Sequence, residues 1–218
     1  MTAQVRARED RPATLTFFER RGYREVQRMR ELHLDLRTAN HADHWMQAVE
    51  ADVATRVRLT TLAAEIERLG FTAWERLVAL HNDALHGWPD PDPSPNANAS
   101  RSAVAFRETL HGYGCLLDGF VVAVLRDEYV AYSGFGQREG DARLLSAGTA
   151  VRPTYRGLGL ATAVKAKALL WARGGGYELV FTSSANPAMV RVNEKLGFVP
   201  GLAEVRLVKD LHVAVDGS

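Results

Sequence analysis

The feature that most restricts the fold is an alternation of strand and helix signals through the C-terminal half, in the order β-β-β-α-β-α-β. Residues 120–125 form a short apolar run ending at the charged turn Arg126-Asp127-Glu128; residues 129–136 follow, and the pair reads as a β-hairpin. Residues 144–151 read as a third strand, closed by Pro153. Residues 157–172 lack proline and are rich in Ala, Leu and Lys, which predicts a helix, stopped by Gly174-Gly175-Gly176. A buried-type strand over 177–182 and a short helix over 187–196, N-capped by Asn186, come next. Gly197 ends that helix, and 204–211 is the last strand. Such an order needs an α/β (α+β) arrangement, a mixed sheet with helices packed on it.

Upstream, Ile66, Leu69, Trp74, Leu77, Leu80 and Leu85 give residues 62–88 a helical period. Pro89, Pro91, Pro93 and Pro95 then mark a loop up to Ser100, and 102–111 reads as a further helix. A net charge of +1 supplies no electrostatic case for nucleic acid or an anionic membrane surface. No apolar run approaches membrane-spanning length, and the charged first ten residues hold no export signal, so the expectation is a cytoplasmic protein. The single cysteine, Cys115, excludes a disulfide within the chain and reads as a small buried hydrophobe. His41 and His44, with Asp43 beside them and His33 upstream, could set two imidazoles on one helix face. No Glu follows in the His-Glu-x-x-His pattern, so that stretch reads as a surface helix, and no metal site is expected.

The sequence also repeats. Shifted by 175 positions, residues 187–211 lie ungapped on residues 12–36. Pro12/Pro187, Ala13/Ala188, Glu19/Glu194, Gly22/Gly197, Leu32/Leu207, Asp35/Asp210 and Leu36/Leu211 are identical pairs. Two amphipathic helix-turn-strand pieces share a period that invites chance agreement; the sharper reading makes residues 1–36 the tail of a second, truncated copy of the domain in 37–218. That tail, a helix plus a hairpin, carries Leu15, Phe17, Phe18, Tyr23, Val26, Met29, Leu32 and Leu34 on an apolar face. It is expected to dock on the main domain, or on a second copy in a homodimer, with residues 25–36 added to a sheet edge.

The chemistry concentrates in Val151-Arg-Pro-Thr-Tyr-Arg156-Gly157-Leu158-Gly159-Leu160-Ala161-Thr162. Here a strand ends, a turn follows and a helix begins. The first turn of a helix leaves N–H groups without partners and carries partial positive charge. Gly157 and Gly159 remove side chains, so a pyrophosphate can approach those N–H groups, and Arg156 adds a cation. A Gly-x-Gly here also suits a plain tight turn. The Gly-Lys-Ser/Thr ending of a Walker A loop is missing, and Thr162 stands where a dinucleotide fingerprint wants glycine.

Arg156-x-x-Gly159-x-Ala161, after Val-x-Pro-x-Tyr, resembles motif A of the GNAT family of N-acetyltransferases. Asn186…Met189…Asn193-Glu-Lys-Leu-Gly197-Phe198 resembles the family's motif B, at the expected separation. The likeness implies a GNAT-type mixed, mostly antiparallel central sheet flanked by helices. It implies acetyl-CoA as co-substrate and a small-molecule or peptide amine as acceptor, attacked without a covalent enzyme intermediate. By that resemblance the backbone of Thr149, Ala150 and Val151 pairs with the pantetheine arm. The N–H groups of Arg156, Gly157, Leu158, Gly159, Leu160, Ala161 and Thr162 cradle the pyrophosphate, and Asn186 touches the pantetheine or the acetyl end. Asn193 stands where the family usually has a tyrosine that protonates the leaving thiolate. A carboxamide cannot supply that proton, although it can donate a hydrogen bond to the sulfur. His81, Asp83, His86, Glu108, His111 and Glu139 are candidates for the base on the amine side. Two rivals remain, a catalytically inactive CoA-binding regulatory module and a nucleotide-binding α/β protein.

Overall fold

A computed structural model describes residues 2–38, 53, 55–85 and 100–211. His41, Asp43, His44 and His86, and the loop with Pro89, Pro91, Pro93 and Pro95, lie outside the described residues. The chain forms β1 (Thr2–Arg8), α1 (Pro12–Glu19), β2 (Arg24–Asp35), β3 (Arg58–Thr61), α2 (Leu62–Leu69) and α3 (Thr72–Leu85). It continues as α4 (Ala103–Gly112), β4 (Val121–Leu125), β5 (Glu128–Gln137), β6 (Arg143–Val151), α5 (Leu160–Gly174), β7 (Leu179–Ser184), α6 (Pro187–Lys195) and β8 (Val199–Asp210). The strands make one eight-stranded sheet in the order β1-β8-β2-β7-β6-β5-β4-β3. Among the described residues only β6 and β7 run parallel; every other neighbouring pair is antiparallel.

Local chemistry accounts for most elements. Thr61 and Ser102 cap α2 and α4 by accepting from the N–H of Ala64 and Ala105. The expected single helix over 62–88 breaks at Gly70 into α2 and α3. The β4–β5 hairpin turns on Arg126 and Asp127, both at positive φ (47° and 66°), as a two-residue primed turn requires. α2, α3 and α4 cover one face of β3–β6 through Trp74, Leu77, Leu80, Phe106 and Tyr132. α5 packs on the other face, where Leu160, Val164 and Leu169 meet Val130, Leu144 and Val180.

The N-terminal segment differs from expectation. It is a strand-helix-strand unit rather than a helix and hairpin, and its strand β2 inserts between β7 and β8 instead of adding to an edge. The reason is burial: Leu32, Leu34 and Leu36 are at most 3% exposed and join the α5-side core, which an edge strand could not offer. The edge is β1, within a stretch read from sequence only as a charged terminus. At its end Glu9 accepts from the Ala203 N–H (2.8 Å) and from Arg30 (2.6 Å), tying the unit to β8.

The 175-residue repeat is built into this pairing as a pseudo-two-fold axis. Met29 pairs with Glu204, its own repeat mate, and the pairs Arg24–Val208 and His33–Val199 exchange under the same shift. Even the helix-end glycines correspond: Gly22 faces Lys209 and Gly197 faces Leu34.

Candidate functional site

β6 and β7 pair only at Arg143–Leu179, Leu144–Val180 and Leu145–Phe181. Beyond Leu145 they part. Two features accompany the parting: the β5–β6 register slips between Gly134 and Phe135, and β7 is held on its far side by β2 from Leu179 to Ser184. A bulge bends its strand and deepens the local twist. The backbone groups of β6 that face β7 therefore have no ladder partner from Ser146 to Val151 among the described residues.

The opening is a V. Its wide end holds the turn from Arg156 to Gly159. Gly157 and Gly159 sit at φ of 82° and 78°, a region that side chains other than glycine's rarely adopt. A Cβ on Gly157 would meet nothing within 4 Å, so the turn stands open to a ligand. The helix begins at Leu160, three residues later than expected, with Gly159 as its N-cap and no capping side chain. Among the described residues no side chain caps the N–H groups of Leu160, Ala161 and Thr162, the condition for holding an anion.

The narrow end is a cleft of about 120 Å³ lined by Ser146, Gly148, Thr149, Lys165, Thr182, Ser184, Met189 and Asn193, among others. Thr149 shares a 2.8 Å hydrogen bond with Ser133. Asn193 is buried rather than lying on a helix surface, and its Oδ1 accepts from Lys165 Nζ at 2.6 Å. Lys165 is 1% exposed, and burial lowers its ammonium to about 7. On the opposite face a wider cavity of about 350 Å³ opens, lined by Glu31, Arg138, Asp141, Arg143, Leu145 and Phe181. It shares Ser146, Thr182 and Ser183 with the cleft, so the two faces meet at the vertex of the V.

The residues singled out from sequence fall into three groups. Thr149 and Asn193 line the cleft, while Gly157, Leu158, Gly159, Ala161 and Thr162 make the turn and first residues of α5. Ala150 and Val151 turn their side chains into the two cores, and so does Leu160, leaving only backbone toward the opening. Arg156 and Asn186 are employed otherwise. The Arg156 guanidinium donates to the Ala84 carbonyl (3.0 Å), bracing α3 against the turn rather than standing over it. The Asn186 Oδ1 accepts from the Ala188 N–H (2.9 Å) as the cap of α6.

None of the base candidates among the described residues lines the cleft. His81 stacks on Phe106 and bonds Tyr132 Oη at 2.8 Å; burial, then the charge of Arg101, pushes it down to about 4, so it is neutral at pH 7. Asp83 pairs with Arg152, while Glu108, His111 and Glu139 are exposed. Burial raises the Cys115 thiol to about 12. Sequence reasoning missed Lys165, Met189 as a lining side chain, and Glu31. The one available signal was a lysine on the apolar stripe of α5, three residues before Ala168 and four before Leu169.

Solved structures of N-acetyltransferases share this fold. A GCN5-related N-acetyltransferase from Sphaerobacter thermophilus superposes with a TM-score of 0.66 at 15% identity, over 99% of this chain and 62% of that one. A tandem GNAT protein from the clavulanic acid biosynthesis pathway gives 0.63 at 19%, over 95% and 63%. A GCN5-related N-acetyltransferase from Kribbella flavida gives 0.57 at 16%, over 98% and 70%. The chain therefore spans less than two thirds of the length of the first two. No protein of curated function matches it. The sequence model of the Acetyltransferase (GNAT) family matches residues 74–198, more than half of the chain, and the chain belongs to that family. No helix among the described residues is long and apolar enough to cross a membrane.

Proposed function

We propose that the protein transfers an acetyl group from acetyl-CoA to a primary amine by direct attack, with the thioester lying in the β6–β7 cleft. One observation carries the reading: the unpaired inner edge of β6 leads from the open N-terminus of α5 to a polar vertex. The pyrophosphate then rests on the N–H groups of Gly157 to Thr162, and the amide-bearing arm completes the ladder that β7 abandons at Ser146–Val151. The acceptor enters from the opposite cavity, where the exposed carboxylate of Glu31 receives its ammonium. A lysine-like amine has a pKa of about 10.4, so only about one molecule in 10³ is neutral at pH 7. An ordered water at that mouth can take the proton as the amine attacks. Residues 1–36 are read as a duplicate of the unit around α6 and β8, recruited to complete the sheet.

The test is thermal protection. Acetyl-CoA at 100 times its dissociation constant adds about 2.7 kcal/mol of stability. Gly159→Glu sets a like charge in the phosphate site and removes that protection. Gly159→Ala, which carries the same backbone strain without the charge, retains part of it. Unchanged CoA binding in Gly159→Glu would refute the site. Turnover is then sought with lysine-like, aminosugar and peptide amines. A second reading, a CoA-binding regulatory module, draws on Asn193, which is no proton donor; CoA binding with no turnover across the panel would favour it.

A further inference from the structure

We propose that Lys165 is the proton donor to the leaving thiolate, held at the vertex of the cleft by Asn193. The inference rests on the acetyl-CoA reading of that cleft. A ligand anchored by its phosphates at the mouth and running down β6 ends at the vertex, among Ser146, Thr182, Lys165 and Asn193. The acceptor cavity meets the vertex from the other face. The amine and Lys165 therefore approach the thioester from opposite sides, as nucleophile and leaving-group acid should.

The surroundings of Lys165 fit a donor better than a structural cation. It stands on the second turn of α5 and is 1% exposed. From α6 it meets Asn193, and beyond α6 the Phe198 ring lies 4.8 Å from its nitrogen. From β6 and β7 the lining groups are the uncharged Ser146, Thr149, Thr182 and Ser184. Among the described residues no carboxylate lies within ion-pair distance, so a charge placed here gains no paired anion. A thiolate would be that anion. The amide oxygen of Asn193 accepts one N–H and leaves two for other acceptors.

In the step, the amine nitrogen bonds to the thioester carbon and the C–S bond breaks with its electron pair on sulfur. A Lys165 N–H proton passes to sulfur, giving the free thiol and a neutral lysine. The acceptor nitrogen loses its surplus proton to water, and Lys165 regains one from solvent. Burial holds the ammonium near 7 in the empty site, and pairing with the nascent thiolate raises the ammonium and lowers the thiol, which brings the two close enough for the proton to pass.

The experiment needs no acceptor. Coenzyme A and desulfo-coenzyme A are titrated calorimetrically onto the full chain and onto Lys165→Met between pH 7 and 9. The thiol of bound coenzyme A is followed by its ultraviolet thiolate absorbance. The proposal expects the bound thiol to ionise at least one pH unit below the free one. It expects coenzyme A to bind about tenfold tighter than the desulfo analogue at pH 8. Lys165→Met should erase that preference while leaving desulfo-coenzyme A affinity unchanged. A bound thiol that titrates like the free one, in the wild-type protein alone, overturns the proposal even if the variant misfolds. An acetyl group found on Lys165 after incubation with acetyl-CoA also overturns it, because the lysine is then a nucleophile. If neither ligand binds the wild-type protein, the acetyl-CoA reading itself falls, and this inference with it.

Discussion

Replacing Lys165 by methionine should make the protein more stable at neutral pH. The buried ammonium falls from 10.5 to about 7 on folding, and at 1.36 kcal/mol per unit its charged form costs the fold about 5 kcal/mol. Near pH 7 the lysine is half neutral in the folded state, which reduces the cost to about 4 kcal/mol. Methionine of similar length removes that cost but leaves the Asn193 Oδ1 without its donor, a loss of about 1–3 kcal/mol. The net gain at pH 7 is about 1–3 kcal/mol. Between 7 and 10.5 the unfolded chain binds more protons at this site than the folded one, so wild-type stability rises with pH there. The lysine's cost should drop to about 2 kcal/mol by pH 9, and the advantage of the variant should shrink by about 2 kcal/mol. Urea denaturation at pH 7, 8 and 9, read as midpoint and slope, measures this. A variant less stable than its parent at pH 7, or a difference that does not change with pH, would refute the reasoning. A further gain in Lys165→Met/Asn193→Leu would identify the orphaned oxygen as the offsetting loss.

Two other outcomes test the frame around the site. Glu65 is 1% exposed; burial would raise its pKa, but hydrogen bonds from Arg68, Arg58 and Tyr129 bring it down to about 2. Its stabilisation is complete above the ordinary value of 4.5 and lost as pH falls toward 2. Glu65→Gln should cost about 1–3 kcal/mol at pH 7 and flatten the acid limb of the stability profile. A chain beginning at Thr38 lacks β2 and the buried Leu32, Leu34 and Leu36, worth about 5–9 kcal/mol together at roughly 1.5–3 each. That rivals the whole stability of a domain, about 5–15 kcal/mol. It should be unfolded or insoluble by circular dichroism and sedimentation; a soluble, cooperatively folded product would show that β2 is dispensable.

The local pattern of apolar periods, caps and glycines was sufficient for the C-terminal elements, whose strands and helices fall within a few residues of expectation. Gly157 and Gly159 announced the open helix start, because positive φ is a local property of the backbone. The repeat of residues 12–36 on 187–211 was visible for the same reason: identity at a fixed shift needs no contacts. What could not be read was where each piece would pair. β2 carries an alternation that suits any half-covered sheet, and only the gap between β7 and β8, with Leu32, Leu34 and Leu36 filling the α5-side core, decides that it is internal. The site divides the same way. Asn193 was evident as a departure from tyrosine, but a lysine on a helix ordinarily reaches water, and its place on the apolar stripe of α5 was the only local mark that set Lys165 apart from Lys167. Tertiary packing makes the difference: α5, α6 and the parted strands together close over the Lys165 nitrogen and leave it one amide oxygen. Charge placed in low dielectric depends on every neighbour within reach, and those neighbours come from distant parts of the chain.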